Sequence, residues 1–188
     1  MIVWLNQYYF ICRINTTKVM KKRVQLTLFV DEKDATALEN IRKTHNPDQF
    51  TLIKAHVTLC REDELEPLDR VFDNLKNLQH GPVSVQFGPP IRFSEDKGVL
   101  LPASGDNEAF QALRAGVLEG LTESPRRHEA HLTLMHPRNS ACTDAVFEQI
   151  SALDLPRELR FRTVSLIEQE GDNVWKVLLT VDLDGNGR

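Results

Sequence analysis

The sequence predicts an α+β fold: one compact domain of two lobes, built as a pseudo-two-fold duplication. Three observations predict it. The order strand, helix, strand, helix, strand, strand occurs twice along the chain. Each copy carries one His-x-Thr-x tetrapeptide on its second strand, His56-Val57-Thr58-Leu59 and His131-Leu132-Thr133-Leu134. Nothing between the copies has the composition of an extended linker, so the halves should pack as one unit.

The elements follow in order. Gln25 to Val30 alternates polar with β-branched, apolar and aromatic residues, which is strand patterning. Asp34 to Lys43 sets Ala37, Leu38 and Ile41 at helical spacing, with Asp31 or Asp34 as the cap. Asn46-Pro47-Asp48 signals a turn, and Ala55 to Cys60 is the first motif strand. A helix begins near Pro67, runs through Val71, Phe72, Leu75 and Leu78, and is stopped by Gly81-Pro82. Val83 to Phe87 and Ile91 to Phe93 are short strands around Gly88-Pro89-Pro90.

The second copy starts with a strand at Gly98 to Leu101. A helix over Glu108 to Leu121 follows, with Phe110, Leu113, Val117 and Leu121 on one stripe. His131 to Met135 is the second motif strand, and Thr143 to Leu153 is a helix capped by Thr143 or Asp144. Arg160 to Glu168 and Val174 to Val181 form a hairpin around Glu170-Gly171-Asp172-Asn173. The domain therefore spans 20–183, with lobes of about 20–95 and 96–183 and a short tail at 184–188. Residues 1–19 are an extension. Ile2 to Ile11 is mostly apolar, but Asn6 and Gln7 interrupt it and no basic residue precedes it, so it lacks the marks of a signal peptide. It is also too short to span a membrane. Met20, followed by Lys21-Lys22-Arg23 and a good strand, reads as a natural start, with a disordered extension, or a signal sequence or anchor, as the alternatives for the residues before it.

Composition narrows the function. With 41% hydrophobic and 27% charged residues the chain is an ordinary folded protein. A net charge of −4 denies it a general attraction for polyanions, so nucleic acid would have to meet a local basic patch. Cys12, Cys60 and Cys142 are odd in number and lack Cys-x-x-Cys spacing, which fits reduced thiols in a cytoplasmic protein.

The two motifs carry the chemistry. Side chains alternate along a strand, so His56 and Thr58 share a face while Val57 and Leu59 anchor the other. His131 and Thr133 are presented in the same way over Leu132 and Leu134. One neutral imidazole can take a proton from an attacking water, and one imidazolium can protonate a leaving alkoxide. The threonine hydroxyls can donate to the crowded non-bridging oxygens of a phosphodiester. A single such tetrapeptide arises by chance; two at corresponding places in a repeated plan do not arise readily.

On these two tetrads, 75 residues apart, and the duplicated plan over Met20 to Leu183, the chain resembles the 2H phosphoesterase superfamily. That group includes the 2′-5′ RNA ligase family and the cyclic nucleotide phosphodiesterases. The resemblance implies two antiparallel sheets lining an open central cleft, with helices packed outside. It also implies hydrolysis of a 2′,3′-cyclic phosphate or related phosphodiester, with His56, Thr58, His131 and Thr133 as catalytic residues, His56 the acid and His131 the base. The expected substrates are RNA ends or small cyclic nucleotides, handled by a monomer with no cofactor, no metal and no membrane. End joining by the reverse reaction and a non-catalytic nucleotide-binding module are the alternatives. Some relatives carry an arginine soon after the second motif, whereas Met135-His136-Pro137 here precedes Arg138.

Other residues are candidates for binding. Arg126, Arg127, His128 and Arg138 bracket the second motif and form either a basic patch for phosphates or a solvated loop. Arg61 holds the corresponding place after the first motif. Phe93 and Phe50 are candidates for stacking on a base at the cleft rim, or for core aromatics. Strand alternation puts Cys60 on the face of His56 and Thr58, as a small wall residue. It puts His136 on the face opposite His131, which disfavours a metal site from His128, His131, His136 and Cys60. His45 and His80 read as surface residues.

Overall fold

The computed structural model describes residues 21–123 and 125–184; the extension at 1–19 and the proposed start at Met20 lie outside them. A seven-stranded antiparallel sheet runs through the molecule. Its strands are β1 (Lys22–Phe29), β2 (His56–Cys60), β4 (Ile91–Phe93), β5 (Gly98–Pro102), β6 (His131–Met135), β8 (Thr163–Glu170) and β9 (Lys176–Asp182), in the order β4-β5-β6-β2-β1-β8-β9. A separate pair joins β3 (Val83–Gln86) to β7 (Glu158–Phe161). The helices are α1 (Glu32–His45), α2 (Pro47–Leu52), α3 (Leu68–Lys76), α4 (Glu108–Val117) and α5 (Asp144–Ser151). Among the described residues no helix is long and apolar enough to cross a membrane.

The fold is the expected α+β type, with the halves laced together more tightly than a boundary near residue 95 suggests. β4, from the first half, pairs with β5 of the second, and β8 returns to pair with β1. The helices cross as well: α1 packs against β6, and α4 against β2. Leu38 and Ile41 of α1, and Phe110, Leu113 and Val117 of α4, are buried in one core with Val57, Leu59, Leu132 and Leu134. Full burial of such side chains contributes roughly 1.5–3 kcal/mol each.

Three local readings differ from the sequence patterning. The Asn46-Pro47-Asp48 turn opens into α2, because Pro47 suits a first helical turn and Phe50 N–H donates to the Asn46 carbonyl at 3.0 Å. The strand expected over Arg160 to Glu168 is two strands, split at Arg162, one pairing with β3 and the other with β1. At the start of α1 no side chain caps the helix; the Asp31 carbonyl accepts from Asp34 and Ala35 instead. Thr143 does cap α5, its hydroxyl accepting from Val146 N–H at 3.3 Å.

Each motif strand contains a β-bulge. The β1–β2 register runs from Thr27↔Thr58 to Leu26↔Cys60, so Leu59 is extra. The β5–β6 register runs from Leu100↔Thr133 to Val99↔Met135, so Leu134 is extra. A bulge resets side-chain alternation by one residue and leaves a backbone group outside the ladder. The Leu59 carbonyl accepts from Arg114 Nη1.

Arg114 is 1% exposed and also donates to Glu64 Oε1 at 2.7 Å and to the Arg126 carbonyl at 3.1 Å. Burial works against the Glu64 carboxylate, yet the Arg114 hydrogen bonds hold it down to about 2. Arg42 of α1 is likewise buried, with Glu39 at 2.6 Å and the Ile53 carbonyl at 2.6 Å. Breaking such a pair strands the partner's charge. Arg114→Ala should therefore lower unfolding free energy by about 3–5 kcal/mol, while Arg127→Ala, at an exposed position, should change it by less than about 0.5 kcal/mol. Urea titrations of both variants provide the check.

Candidate active site

The two motif strands lie side by side at the middle of the sheet and are joined by a single ladder pair, Val57↔Leu132. An antiparallel register through that pair sets His56 across from Thr133 and Thr58 across from His131. The pseudo-two-fold axis thus passes between the strands, and each imidazole faces the hydroxyl of the other motif. Val57, Leu59, Leu132 and Leu134, all fully buried, fix the opposite face. The four motif side chains, His56, Thr58, His131 and Thr133, are half-buried on the open face. Among the described residues neither threonine hydroxyl has a hydrogen-bond partner in the protein, which leaves both available to a ligand.

Both histidines are held the same way. His56 Nδ1 lies 2.7 Å from the Lys54 carbonyl and His131 Nδ1 lies 3.1 Å from the Glu129 carbonyl, two residues upstream in each case. A carbonyl only accepts, so each Nδ1 carries its proton, and Nε2 is the nitrogen left for proton transfer. Burial pushes the His56 imidazolium down to about 4, and the charges of Arg42, His131 and His136 add to this, while the Lys54 carbonyl opposes it. His56 is accordingly neutral at pH 7 in the unliganded protein.

A cleft of about 370 Å³ opens over the four groups. Arg61, Phe93 and Arg138 line it, as the sequence suggested. The Phe93 ring packs over Gly98, its cross-strand partner, where any Cβ would collide with it. Arg127 does not line the cleft. Its guanidinium is exposed, pairs with Glu129 at 2.8 Å and donates to the Asp106 carbonyl at 3.0 Å. Phe50 lines a separate apolar groove beside α2.

The bulges overturn two further expectations. Strict alternation would place Cys60 on the cleft face and His136 on the opposite one. With Leu59 and Leu134 as extra residues, Cys60 and Met135 turn into the core, and Arg61 and His136 turn into the cleft. Burial raises the Cys60 thiol to about 12, which removes it from any nucleophilic role at neutral pH. His136 Nδ1 accepts from Arg138 N–H at 3.1 Å, so its Nε2 carries the proton and acts as a donor. Its tautomer is the reverse of the two motif histidines. Among the described residues no three His, Cys, Asp or Glu side chains gather as metal ligands, so His128, His131, His136 and Cys60 are not such a set here.

Several lining residues lie outside any motif. Arg23, Gln25, Arg42, Gln49, Glu62, Gln169 and Trp175 all face the cleft. Arg23, Arg61 and Arg138 against the one lining carboxylate of Glu62 make the lining basic in a chain of net charge −4, the fourth lining arginine, Arg42, being paired with Glu39. His128 stands beside the second motif, its ring centroid 5.9 Å from that of His131 and 6.4 Å from that of Phe110. Its Nε2 is buried with no partner among the described residues, and burial, helped by the Arg114 and His131 charges, lowers it to about 4. Alternation at Arg23 and Gln25 was the one signal available for this group.

Residues 29–173 match the family model of the 2′-5′ RNA ligase superfamily. A search of curated proteins finds no match. The fold resembles the crystal structure of Escherichia coli LigT complexed with phosphate, with a TM-score of 0.61, 14% identity, and coverage of 87% of this chain and 98% of that one. The LigT complex with NADP+ gives a TM-score of 0.62 at 13% identity, over 87% and 98% of the two chains. The protein TT0787 of Thermus thermophilus gives 0.50 at 16%, over 87% and 99%.

The two depressed histidines make stability depend on pH with a definite sign. His56 and His128 hold protons less readily when folded, at about 4 against an ordinary 6.5. The unfolded chain therefore binds more protons in that interval. Their contribution to stability should be complete above pH 6.5 and fall away as pH drops toward 4. Urea midpoints measured from pH 7 to pH 4 should decline less steeply for His56→Gln/His128→Gln than for the wild type. Parallel declines would mean that both imidazoles titrate normally in the folded protein.

Proposed function

Because the chain belongs to the 2′-5′ RNA ligase superfamily, we propose that it is a metal-independent phosphodiesterase that opens 2′,3′-cyclic phosphates by two-histidine acid–base catalysis. The observation that carries the reading is the crossed arrangement of His56 with Thr133 and His131 with Thr58, each imidazole turned Nε2-outward by a backbone carbonyl. Binding alone has no use for two imidazoles held in that orientation.

The reaction divides between the four groups. His131 Nε2 takes a proton from water, whose oxygen attacks phosphorus. The bond from phosphorus to one ribose oxygen breaks, and His56 Nε2 delivers a proton to that oxygen. Thr58 and Thr133 donate to the non-bridging oxygens as charge builds on them. The base ends protonated and the acid neutral, and exchange with solvent resets both.

His56 meets the acid role only with substrate bound. Alone it is neutral at pH 7, chiefly because burial disfavours its imidazolium, but a phosphate anion beside it would favour the charged form. A phosphate charge about 4 Å away is worth about 4 kcal/mol at an effective dielectric of about 20. At about 1.4 kcal/mol per tenfold change in proton affinity, that returns the imidazole to the neutral range. The LigT crystal structures with phosphate and with 3′-AMP belong to proteins of the same fold, which supports a phosphate-sized ligand in the cleft.

His56→Ala and His131→Ala should each reduce turnover of a nucleoside 2′,3′-cyclic phosphate by about 10²–10⁴-fold, and the double variant by far less than the product. Activity should survive exhaustive chelation, and chromatography of the product identifies the ribose oxygen released. Near-normal turnover in either single variant would sink the assignment.

The ionisation of His56 offers a separate check. Its imidazole carbon-bound proton should titrate near 4 in the free protein by NMR and move to higher pH when inorganic phosphate is added. A titration that phosphate leaves in place would rule His56 out as the acid.

A further inference from the structure

One cation of the cleft is more firmly built than the proposed hydrolysis requires. Arg23 lies on β1, beyond the motif strands, with no carboxylate within salt-bridge distance among the described residues, yet its side chain is fixed from two sides. Its guanidinium carbon stands 5.4 Å from the centroid of the Trp175 ring, and Nη2 donates to Gln169 Oε1. Gln169 is 1% exposed and is itself fixed, its Nε2 donating to the Asn173 carbonyl at 2.6 Å. Both supports come from the β8–β9 hairpin, and Arg23 and Gln169 are ladder partners. A guanidinium held in one orientation loses little entropy on meeting a planar or tetrahedral oxyanion.

Two more groups of the same cleft face that region. Arg138 and His136 lie on the segment after β6, and His136 presents its Nε2–H because Nδ1 accepts from Arg138 N–H at 3.1 Å. The charges of Arg138 and Arg23 both reach His136 and, with burial, disfavour its imidazolium. Glu62, the one carboxylate lining the cleft, accepts from Gln25 Nε2 at 3.1 Å and stays outside salt-bridge distance of Arg23. None of Arg23, His136 and Arg138 belongs to the four-group motif set, and each presents a donor.

We propose that Arg23, His136 and Arg138 form a second phosphate subsite, which holds a phosphate of the substrate other than the one being hydrolysed. This deepens the phosphodiesterase reading and rests on it for the word substrate. The preferred ligand carries a cyclic phosphate and a further phosphate on the same or the adjacent nucleotide. A 5′-phosphate on a mononucleotide and an internucleotide phosphodiester share that chemistry.

Three substrates separate these sources: a nucleoside 2′,3′-cyclic phosphate, its 5′-phosphorylated form, and a dinucleotide ending in a 2′,3′-cyclic phosphate. The quantity read is the ratio of kcat/KM for each phosphate-bearing substrate to that of the plain one, across a salt series, in wild type, Arg23→Gln, Arg23→Lys and the surface control Arg127→Glu. The wild type should favour at least one phosphate-bearing substrate by about tenfold, as for one charge-assisted contact. Arg23→Gln should bring the ratio close to one and flatten its salt dependence, Arg23→Lys should retain part of it, and Arg127→Glu should leave it unchanged. The substrate that loses its advantage identifies the source of the phosphate. An Arg23→Gln effect equal on all three substrates would mean a structural role and overturn the proposal, as would a wild-type ratio of one.

Calorimetric binding of a nucleoside 3′,5′-bisphosphate against the 3′-monophosphate gives the same ratio without turnover. If the wild type hydrolyses none of the three substrates, the phosphodiesterase reading fails, and this binding ratio decides the subsite on its own. A bisphosphate preference lost in Arg23→Gln upholds it, and equal affinities dismiss it.

Discussion

The site depends on the single antiparallel pair that joins Val57 to Leu132. One pair fixes the register while the strands remain free to diverge on either side of it. That register decides which group meets which, because a slip of one strand by one residue would turn its own side chains over and leave its neighbour's in place. A slip of β2 would turn His56 and Thr58 to the core and Val57 to solvent, while His131 and Thr133 stayed on the open face. The full burial of those two apolar residues, Val57 and Leu132, therefore holds the motif geometry as well as the fold.

The helices protect this arrangement by crossing between halves. α4 covers β2 and carries Arg114, which reaches the carbonyl freed by the bulge at Leu59 and the Glu64 carboxylate beyond it. The same guanidinium touches the Arg126 carbonyl, five residues before His131. A buried arginine thus joins the end of one motif strand to the approach of the other. Arg42 has a related place on α1, where it binds the Ile53 carbonyl just ahead of His56. It also contributes to the charge that keeps His56 neutral before a ligand arrives. Neither arginine is free to bind phosphate, for each is already committed to carboxylate and backbone oxygens.

Much of this was legible in the sequence. The motif pair, the helix stripes at Leu38 and Ile41 and at Phe110, Leu113 and Val117, and the closing hairpin follow from spacing alone. What could not be read arises from two physical sources. A β-bulge leaves no mark in apolar patterning, so alternation carried past Leu59 and Leu134 put Cys60 and His136 on the wrong faces. Long-range pairing leaves no mark either. That β8 sits beside β1 is a property of the assembled sheet, and so Arg23, Gln169 and Trp175 reach the cleft from positions far from any motif.

Charge placement follows from the same topology. Arg126 and Arg127 stand close to the second motif in sequence, yet Arg126 pairs with Asp63 and Glu64, and Arg127 with Glu129. They are neutralised at the surface, where ion pairs add little. Arg23 and Arg138 lie on the two sides of the seam and have no such carboxylate partners among the described residues. Proximity in sequence is thus a poor guide to electrostatic role here, because the sheet brings β1 and the segment after β6 to one cleft and sends the motif-flanking loop outward. A molecule of net negative charge can then draw an anion to the place above the pair of strands whose histidines would act on it.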